Sequence, residues 1–225
     1  MMQSEVVFIS SALSTIVSMI VATYLIHKWY NQKARLPFDL PLMFGVVFVA
    51  SAVSQFIKSS QMVGLLPATL EIFRIRSLVI AWIFLPWMLV LMRIMWPSGA
   101  KWHMRLWGVL TAVTVGMSLF APNQAVIQTY QTTWILVVII GVIITFAITW
   151  KTGRLKEVRS ELVLLGSFLA IVSQIGQIMW VSAGLSWIAD IVTVLSITSY
   201  TLALINPWYR SKPAPLPPET VYVTG

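Results

Sequence analysis

The residues best suited to do chemistry in this sequence are polar side chains within, or at the ends of, long apolar segments. They are Gln55, Arg74, Arg76, Gln174, Gln177 and Asp190. Guanidinium, carboxamide and carboxylate groups bind polar ligands through directed hydrogen bonds. An ionised group at the centre of a bilayer costs roughly 2.5–3.5 kcal/mol on insertion scales, so such residues are usually paired or functional. The pattern predicts a small pocket, facing one side of a membrane, that binds a polar ligand.

The same polar residues also have a purely structural interpretation. Hydrogen bonds and ion pairs between helices would then only hold the bundle in register. Glu71 and Arg74 are spaced i, i+3 and can pair on one helix face. Arg74 and Arg76 lie about 200° apart around a helix, so only one of them can face inward. If the polar stripes of the sixth and seventh segments face each other, Asp190 can pair with Arg74 or Arg76, and both interpretations remain open.

Catalytic and metal-binding patterns are weak in this sequence. Cysteine is absent, which excludes disulfides, thiolate metal sites and cysteine nucleophiles. His27 and His103 have no second ligand at suitable spacing, so we predict no metal and expect both to be solvated at the interface. Asp190 is the one acidic residue of its segment, whereas hydrolysis inside a membrane needs a carboxylate pair, an activated serine or a zinc site. We predict no catalytic residue and no enzymatic activity.

Trp82, Pro86 and Trp87 form a second feature, in the middle of the third apolar segment. Pro86 has no amide proton and leaves the Trp82 carbonyl without its usual partner, so a kink is expected. The two indoles either fill the space beside the kink or pack against an apolar ligand or cofactor.

Seven apolar segments carry these residues. They span residues 6–27, 39–58, 71–93, 104–120, 132–150, 161–182 and 187–206. Each is close to the ~20 residues that a helix needs to cross ~30 Å of hydrocarbon. Segments of this length satisfy their own backbone groups as helices, because barrel strands have only ~10 residues. The sequence therefore predicts an all-α integral membrane protein, a bundle of seven transmembrane helices.

The distribution of cations predicts the orientation of this bundle. When the loops are assigned alternately to two sides, one side receives 12 of the 15 Lys and Arg residues. Only Lys58, Arg74 and Arg76 lie on the other side. Cytoplasmic loops carry the excess of Lys and Arg, so we expect the N-terminus outside and the C-terminus in the cytoplasm of a multi-pass cell membrane protein.

The net charge of +8 comes from short loops beside the apolar segments. Contact with anionic headgroups on the cytoplasmic side explains it better than nucleic acid does. Residues 1–209 are expected to form one transmembrane domain, and residues 210–225 a Pro-rich cytoplasmic tail.

Small residues at four-residue spacing predict the faces through which the helices pack. The stripes are Ser10, Ser14, Ser18 and Ala22 in the first segment; Gly108, Ala112 and Gly116 in the fourth; Gly141, Thr145 and Thr149 in the fifth; and Gly166 and Ala170 in the sixth.

Two known classes of seven-helix protein are disfavoured. An arginine, a tryptophan and a proline in the third segment invite comparison with microbial rhodopsins, but residues 187–207 contain no lysine that could form a retinal Schiff base. No cofactor is predicted, although a lipid or pigment held without a covalent bond remains open. Small sugar transporters of the SWEET type have prolines in the helices that correspond to residues 6–27 and 132–150, and these segments contain none.

A third pattern extends over roughly residues 20–206. Its parts are a basic first loop at 28–35, the run Arg-Ile-Arg-Ser-Leu-Val-Ile-Ala-Trp-Ile-Phe-Leu-Pro-Trp at 74–87, Ala-Pro-Asn at 121–123 and Glu-Leu-Val-Leu-Leu-Gly at 161–166. It resembles the seven-helix membrane sensor region found N-terminal to bacterial and archaeal histidine kinases and cyclases. The resemblance implies a signalling input module. No kinase follows Tyr209, so the signal is expected to pass through another protein.

The leading functional expectation is a non-enzymatic, sensor-like module that binds a ligand or partner from the outer side or within the membrane. One alternative is an accessory or structural subunit of a larger membrane complex, and a second is a small-solute transporter. The expected partners are the lipid bilayer and another membrane protein or a second copy of the chain.

Overall fold

The computed structural model describes residues 2–32, 39–95, 99–153, 158–182 and 185–206. In this part of the chain all regular structure is helical, as predicted. The seven α-helices are α1 (Met2–Tyr30), α2 (Leu40–Met62), α3 (Leu70–Met95), α4 (Ala100–Phe120), α5 (Gln124–Thr152), α6 (Ser160–Ser182) and α7 (Ser186–Ile205). The predicted tail at 210–225, with the domain boundary before it, lies outside the described residues.

Six of these helices, α1, α2, α3, α5, α6 and α7, are long and apolar enough to cross a membrane. Their number makes the chain a multi-pass membrane protein, as the segment pattern predicts. The helix α4 has 21 residues, but Lys101, His103 and Arg105 in its first two turns make it less apolar than the others.

The six spanning helices form a closed ring in the order α1, α2, α3, α5, α6, α7, and α7 packs back on α1. The helix α4 lies outside this ring, mainly against α3. It runs antiparallel to α3, since Arg74 near the start of α3 donates to the Ala121 carbonyl at the end of α4, while Trp107 near the start of α4 donates to the Leu85 carbonyl.

The small-residue stripe of α1 is confirmed as a packing face. Ser14, Ser18 and Ala22 are fully buried, and Ser10 is nearly so. Their small side chains let α1 lie close to its neighbours α2 and α7.

The stripe predicted for α4 is wrong. Gly108 and Ala112 are exposed, and a Cβ built on Gly108 or Gly116 would have open space around it. The helix packs instead through a face of larger residues, which includes the buried Leu110 and Thr114. Because α4 contacts the ring on one side only, the opposite side faces outward whatever its residues.

The helix α5 begins about two turns earlier than the predicted segment 132–150. Asn123 caps it, and its side chain accepts a hydrogen bond from the Val126 amide at 3.0 Å. These early turns contain Gln128 and Gln131. Because these residues are polar, a search for apolar segments misses the first turns of the helix.

The helix α3 continues across Pro86. Trp82 and Trp87 lie about 140° apart around it. Trp82 faces outward, whereas Trp87 is buried and meets the Phe44 ring edge-on, with centroids 4.7 Å apart. Phe48 and Tyr200 pack against the same Phe44 ring, so an aromatic cluster occupies the middle of the bundle. The kink at Pro86 stays a prediction.

His103 does not follow the expectation of a solvated interfacial side chain. It is 6% exposed and packs against Gly99 at the start of α4. His27 is exposed, as expected.

Candidate functional site

A buried ion pair joins three helices at one end of the bundle. The Lys58 ammonium lies 2.9 Å and 3.1 Å from the two carboxylate oxygens of Asp190. The Ser10 hydroxyl donates to the second of these oxygens at 3.0 Å. Asp190 is fully buried, and the Lys58 side chain is 16% exposed. The direct ion pair of Asp190 is thus with a lysine at the end of α2 and not with an arginine, while Arg76 interacts with Asp190 electrostatically without a direct ion pair.

The two arginines of α3 point in different directions, as their spacing predicts. Arg76 donates from Nε to the Ser54 hydroxyl at 3.1 Å and lies close enough to Asp190 for an electrostatic interaction. Arg74 points to α4, where it donates to the Ala121 carbonyl. Glu71 is exposed, and in the described part of the chain no ion pair joins it to Arg74. The pair of Glu71 and Arg74 that their spacing allows is therefore not formed.

A cavity of about 240 Å³, called here the polar cavity, lies beside the ion pair. Its walls come from α2, α3, α5, α6 and α7. Its principal polar residues are Lys58, Arg76, Gln128, Gln131, Gln174 and Gln177. None of its described lining residues is acidic. Since Asp190 balances Lys58, the charge of Arg76 is left without a full counterion. This favours an anionic occupant.

Gln131 is held rigidly in the wall of the polar cavity. Its amide nitrogen donates to the Ser77 carbonyl at 2.7 Å and to the Ser77 hydroxyl at 2.8 Å. The Ser77 hydroxyl in turn donates to the Ser118 hydroxyl at 2.6 Å. All three residues are buried. The network connects α3, α4 and α5 and fixes one side of the cavity.

The polar cavity brings together three of the six predicted site residues: Arg76, Gln174 and Gln177. Asp190 does not line the polar cavity, but it forms an ion pair with Lys58, which does. Gln55 is buried against α1, where the Ser11 hydroxyl donates to it.

Arg74 points away from the polar cavity, and Lys58, Gln128 and Gln131 were missing from the predicted site. The sequence does contain a pattern that could have identified Gln128 and Gln131, because they have the same i, i+3 spacing as Gln174 and Gln177.

A second cavity, called here the aromatic cavity, has a volume of about 130 Å³. Phe44, Phe48, Trp87 and Tyr200 contribute most of its aromatic wall. It shares two wall residues, Ile135 and Gln174, with the polar cavity, so the two lie against each other. Of the aromatic residues predicted beside Pro86, Trp87 lines this cavity and Trp82 faces the outside.

The polar groups of these two cavities are hydrogen-bond donors and acceptors. Both carboxylate oxygens of Asp190 already accept hydrogen bonds, and no histidine lines either cavity in the described residues. In the same part of the chain no group of three His, Asp or Glu residues is arranged to hold a metal ion.

We compared the chain with protein families, with characterised proteins and with solved structures. None of the three comparisons found a match. The resemblance to sensor regions therefore stays a prediction from the sequence pattern.

Proposed function

We propose that this chain is a non-enzymatic ligand-binding membrane protein, similar to a sensor input module, and that the polar cavity is its ligand site. One observation carries the proposal. Arg76 and two partly buried glutamines, Gln174 and Gln177, line one cavity, and the two glutamine side chains make no hydrogen bond to any other described residue. Groups with unused donors and acceptors around a cavity are what a polar ligand needs.

Arg76 is the central residue of the proposed site. A guanidinium has five N–H donors in a planar fork. Its Nε donates to Ser54, and its terminal nitrogens make no hydrogen bond to the described residues. These terminal groups suit a carboxylate or a similar anion, which they would bind in a bidentate manner. The ligand is therefore a small anion.

In the proposed topology all seven helices cross the cell membrane, with the N-terminus outside and the C-terminus in the cytoplasm. The antiparallel packing of α4 along α3 supports a crossing by α4. At about 31 Å long, a helix of 21 residues is sufficient. The sidedness of Lys and Arg supports the orientation. The polar cavity then opens to the outside.

Ligand binding tests the proposal directly. The purified chain in lipid nanodiscs is titrated with acetate, succinate, phosphate and the neutral control acetamide, and its melting temperature is recorded. We expect at least one anion to raise the melting temperature in a concentration-dependent manner, because a ligand that binds only the folded state stabilises it. Acetamide should have no such effect.

Two matched variants locate the site. Arg76→Gln should abolish the stabilisation by anions, whereas Arg74→Gln should retain it, because Arg74 points to α4. An equal effect of both variants, or no response of the wild type to any anion, would refute the proposal. A stoichiometric membrane partner that copurifies with a chain unresponsive to anions would favour the accessory-subunit alternative.

A further inference from the structure

We propose that the ligand is an amphipathic monocarboxylic acid, whose carboxylate binds at Arg76 in the polar cavity and whose ring-sized apolar group occupies the aromatic cavity. This inference rests on the proposed function and names the chemical class of its ligand.

The size of the aromatic cavity suits one ring. Its volume is about 130 Å³. In another protein, an engineered apolar cavity of roughly 150 Å³ stays dry and binds benzene. An aromatic or branched aliphatic group of that size would therefore fill the aromatic cavity.

The chemistry of the wall also favours an apolar group. Phe44 and Trp87 contribute aromatic rings to the wall, and the two rings meet edge-on. Of the three hydroxyls in the wall, two already donate within the protein, that of Tyr200 to Ser167 and that of Ser196 to the Gly166 carbonyl. A polar occupant would gain few hydrogen bonds there and would lose its own hydration.

The two cavities are placed so that one molecule can occupy both. Gln174 and Ile135 belong to both walls. The Gln174 carboxamide makes no hydrogen bond to another described residue, so it can change rotamer without breaking one. Its amide group can then donate to the carboxylate of a ligand that passes beside it. Arg76, which also lines the polar cavity, supplies the positive charge that pairs with the carboxylate.

A comparison of three probes tests this inference. The full chain in nanodiscs is titrated calorimetrically with acetate, 3-phenylpropionate and 3-phenylpropionamide. We expect 3-phenylpropionate to bind about tenfold or more tightly than acetate, because the ring is transferred from water into an apolar cavity. Its affinity should exceed that of the neutral 3-phenylpropionamide by a similar factor, because only the acid carries the negative charge that Arg76 binds.

A substitution that fills the aromatic cavity should remove only the additional affinity that the ring of the ligand provides. Ala170 lines this cavity, and Ala170→Leu adds a side chain where the ring would lie. We expect acetate and 3-phenylpropionate to bind Ala170→Leu with equal affinity. Ala112→Leu makes the same change on the outward face of α4 and should keep the preference for the ring. If Ala170→Leu does not fold, Ser51→Leu fills the same cavity from α2.

The outcomes separate this inference from the proposed function. Equal affinity of the wild type for acetate and 3-phenylpropionate overturns the inference and leaves an anion site at Arg76 intact. A ring preference that survives in a folded Ala170→Leu or Ser51→Leu variant also overturns it. Failure of every anion to bind the wild type overturns the inference and the proposed function together.

Discussion

At the scale of single residues, Asp190 is the group whose surroundings matter most. A fully buried carboxylate is tolerated only when other groups compensate its charge, and here Lys58 and Ser10 from two other helices do so. The pair therefore ties α1, α2 and α7 together beside the polar cavity. Removal of one member leaves the other with an uncompensated charge or an unused donor.

The substitution Asp190→Asn should therefore destabilise the bundle. Loss of one partner of a buried pair costs roughly 3–5 kcal/mol, and we expect a value at the low end because Lys58 is 16% exposed. The double variant Lys58→Met with Asp190→Asn should recover part of this loss, since no uncompensated charge remains. The free energy of unfolding in mixed micelles is the measurement.

The exposed Glu71 provides the control for this prediction. Glu71→Gln should change the free energy of unfolding by no more than about 0.5 kcal/mol, as surface substitutions usually do. If Asp190→Asn costs no more than Glu71→Gln, the ion pair does not stabilise the bundle.

At the scale of the helices, composition alone does not identify the face that packs. α1 and α4 both carry stripes of small residues, yet the stripe of α1 is buried and that of α4 is exposed. The difference follows from position, because α1 contacts both α2 and α7 within the ring, whereas α4 contacts the ring from outside. The same residue pattern thus has different consequences in the two helices.

A pair of leucine substitutions tests this difference. Ser18→Leu inserts a large side chain where Ser18 is fully buried, and overpacking of this kind costs roughly 1–3 kcal/mol. Ala112→Leu places the same side chain on the outward face of α4 and should be nearly neutral. Thermal unfolding in nanodiscs measures both. A larger loss for Ala112→Leu would mean that the outer face of α4 is packed in the membrane.

At the scale of the whole molecule, the number of crossings depends on α4. If α4 crosses the membrane, the α2–α3 and α4–α5 connections lie on the same side, and if it does not, they lie on opposite sides. The native sequence contains no cysteine. Single cysteines can therefore be introduced and labelled without background.

We expect Leu65→Cys and Gln124→Cys to react with a membrane-impermeant maleimide added to intact cells. Asn31→Cys and Thr152→Cys should react only after permeabilisation. Asn31 follows the C-terminal end of α1 and Thr152 is the last residue of α5, and in the proposed topology both ends lie on the cytoplasmic side. Labelling of Leu65→Cys and Gln124→Cys from different sides would contradict the crossing by α4. Labelling of Asn31→Cys from outside would reverse the proposed orientation.

The sequence by itself determined that the chain is helical, roughly where each helix lies, and which polar residues are set within the apolar segments. These properties are local, since the length and polarity of a segment decide whether it can satisfy its backbone in an apolar medium. Only the tertiary structure decided that Lys58 pairs with Asp190, that Arg76 and not Arg74 faces the polar cavity, and that α4 lies outside the ring. These outcomes depend on how each helix is rotated against its neighbours. Successive residues differ by about 100° around a helix, so a small rotation changes every contact across the bundle.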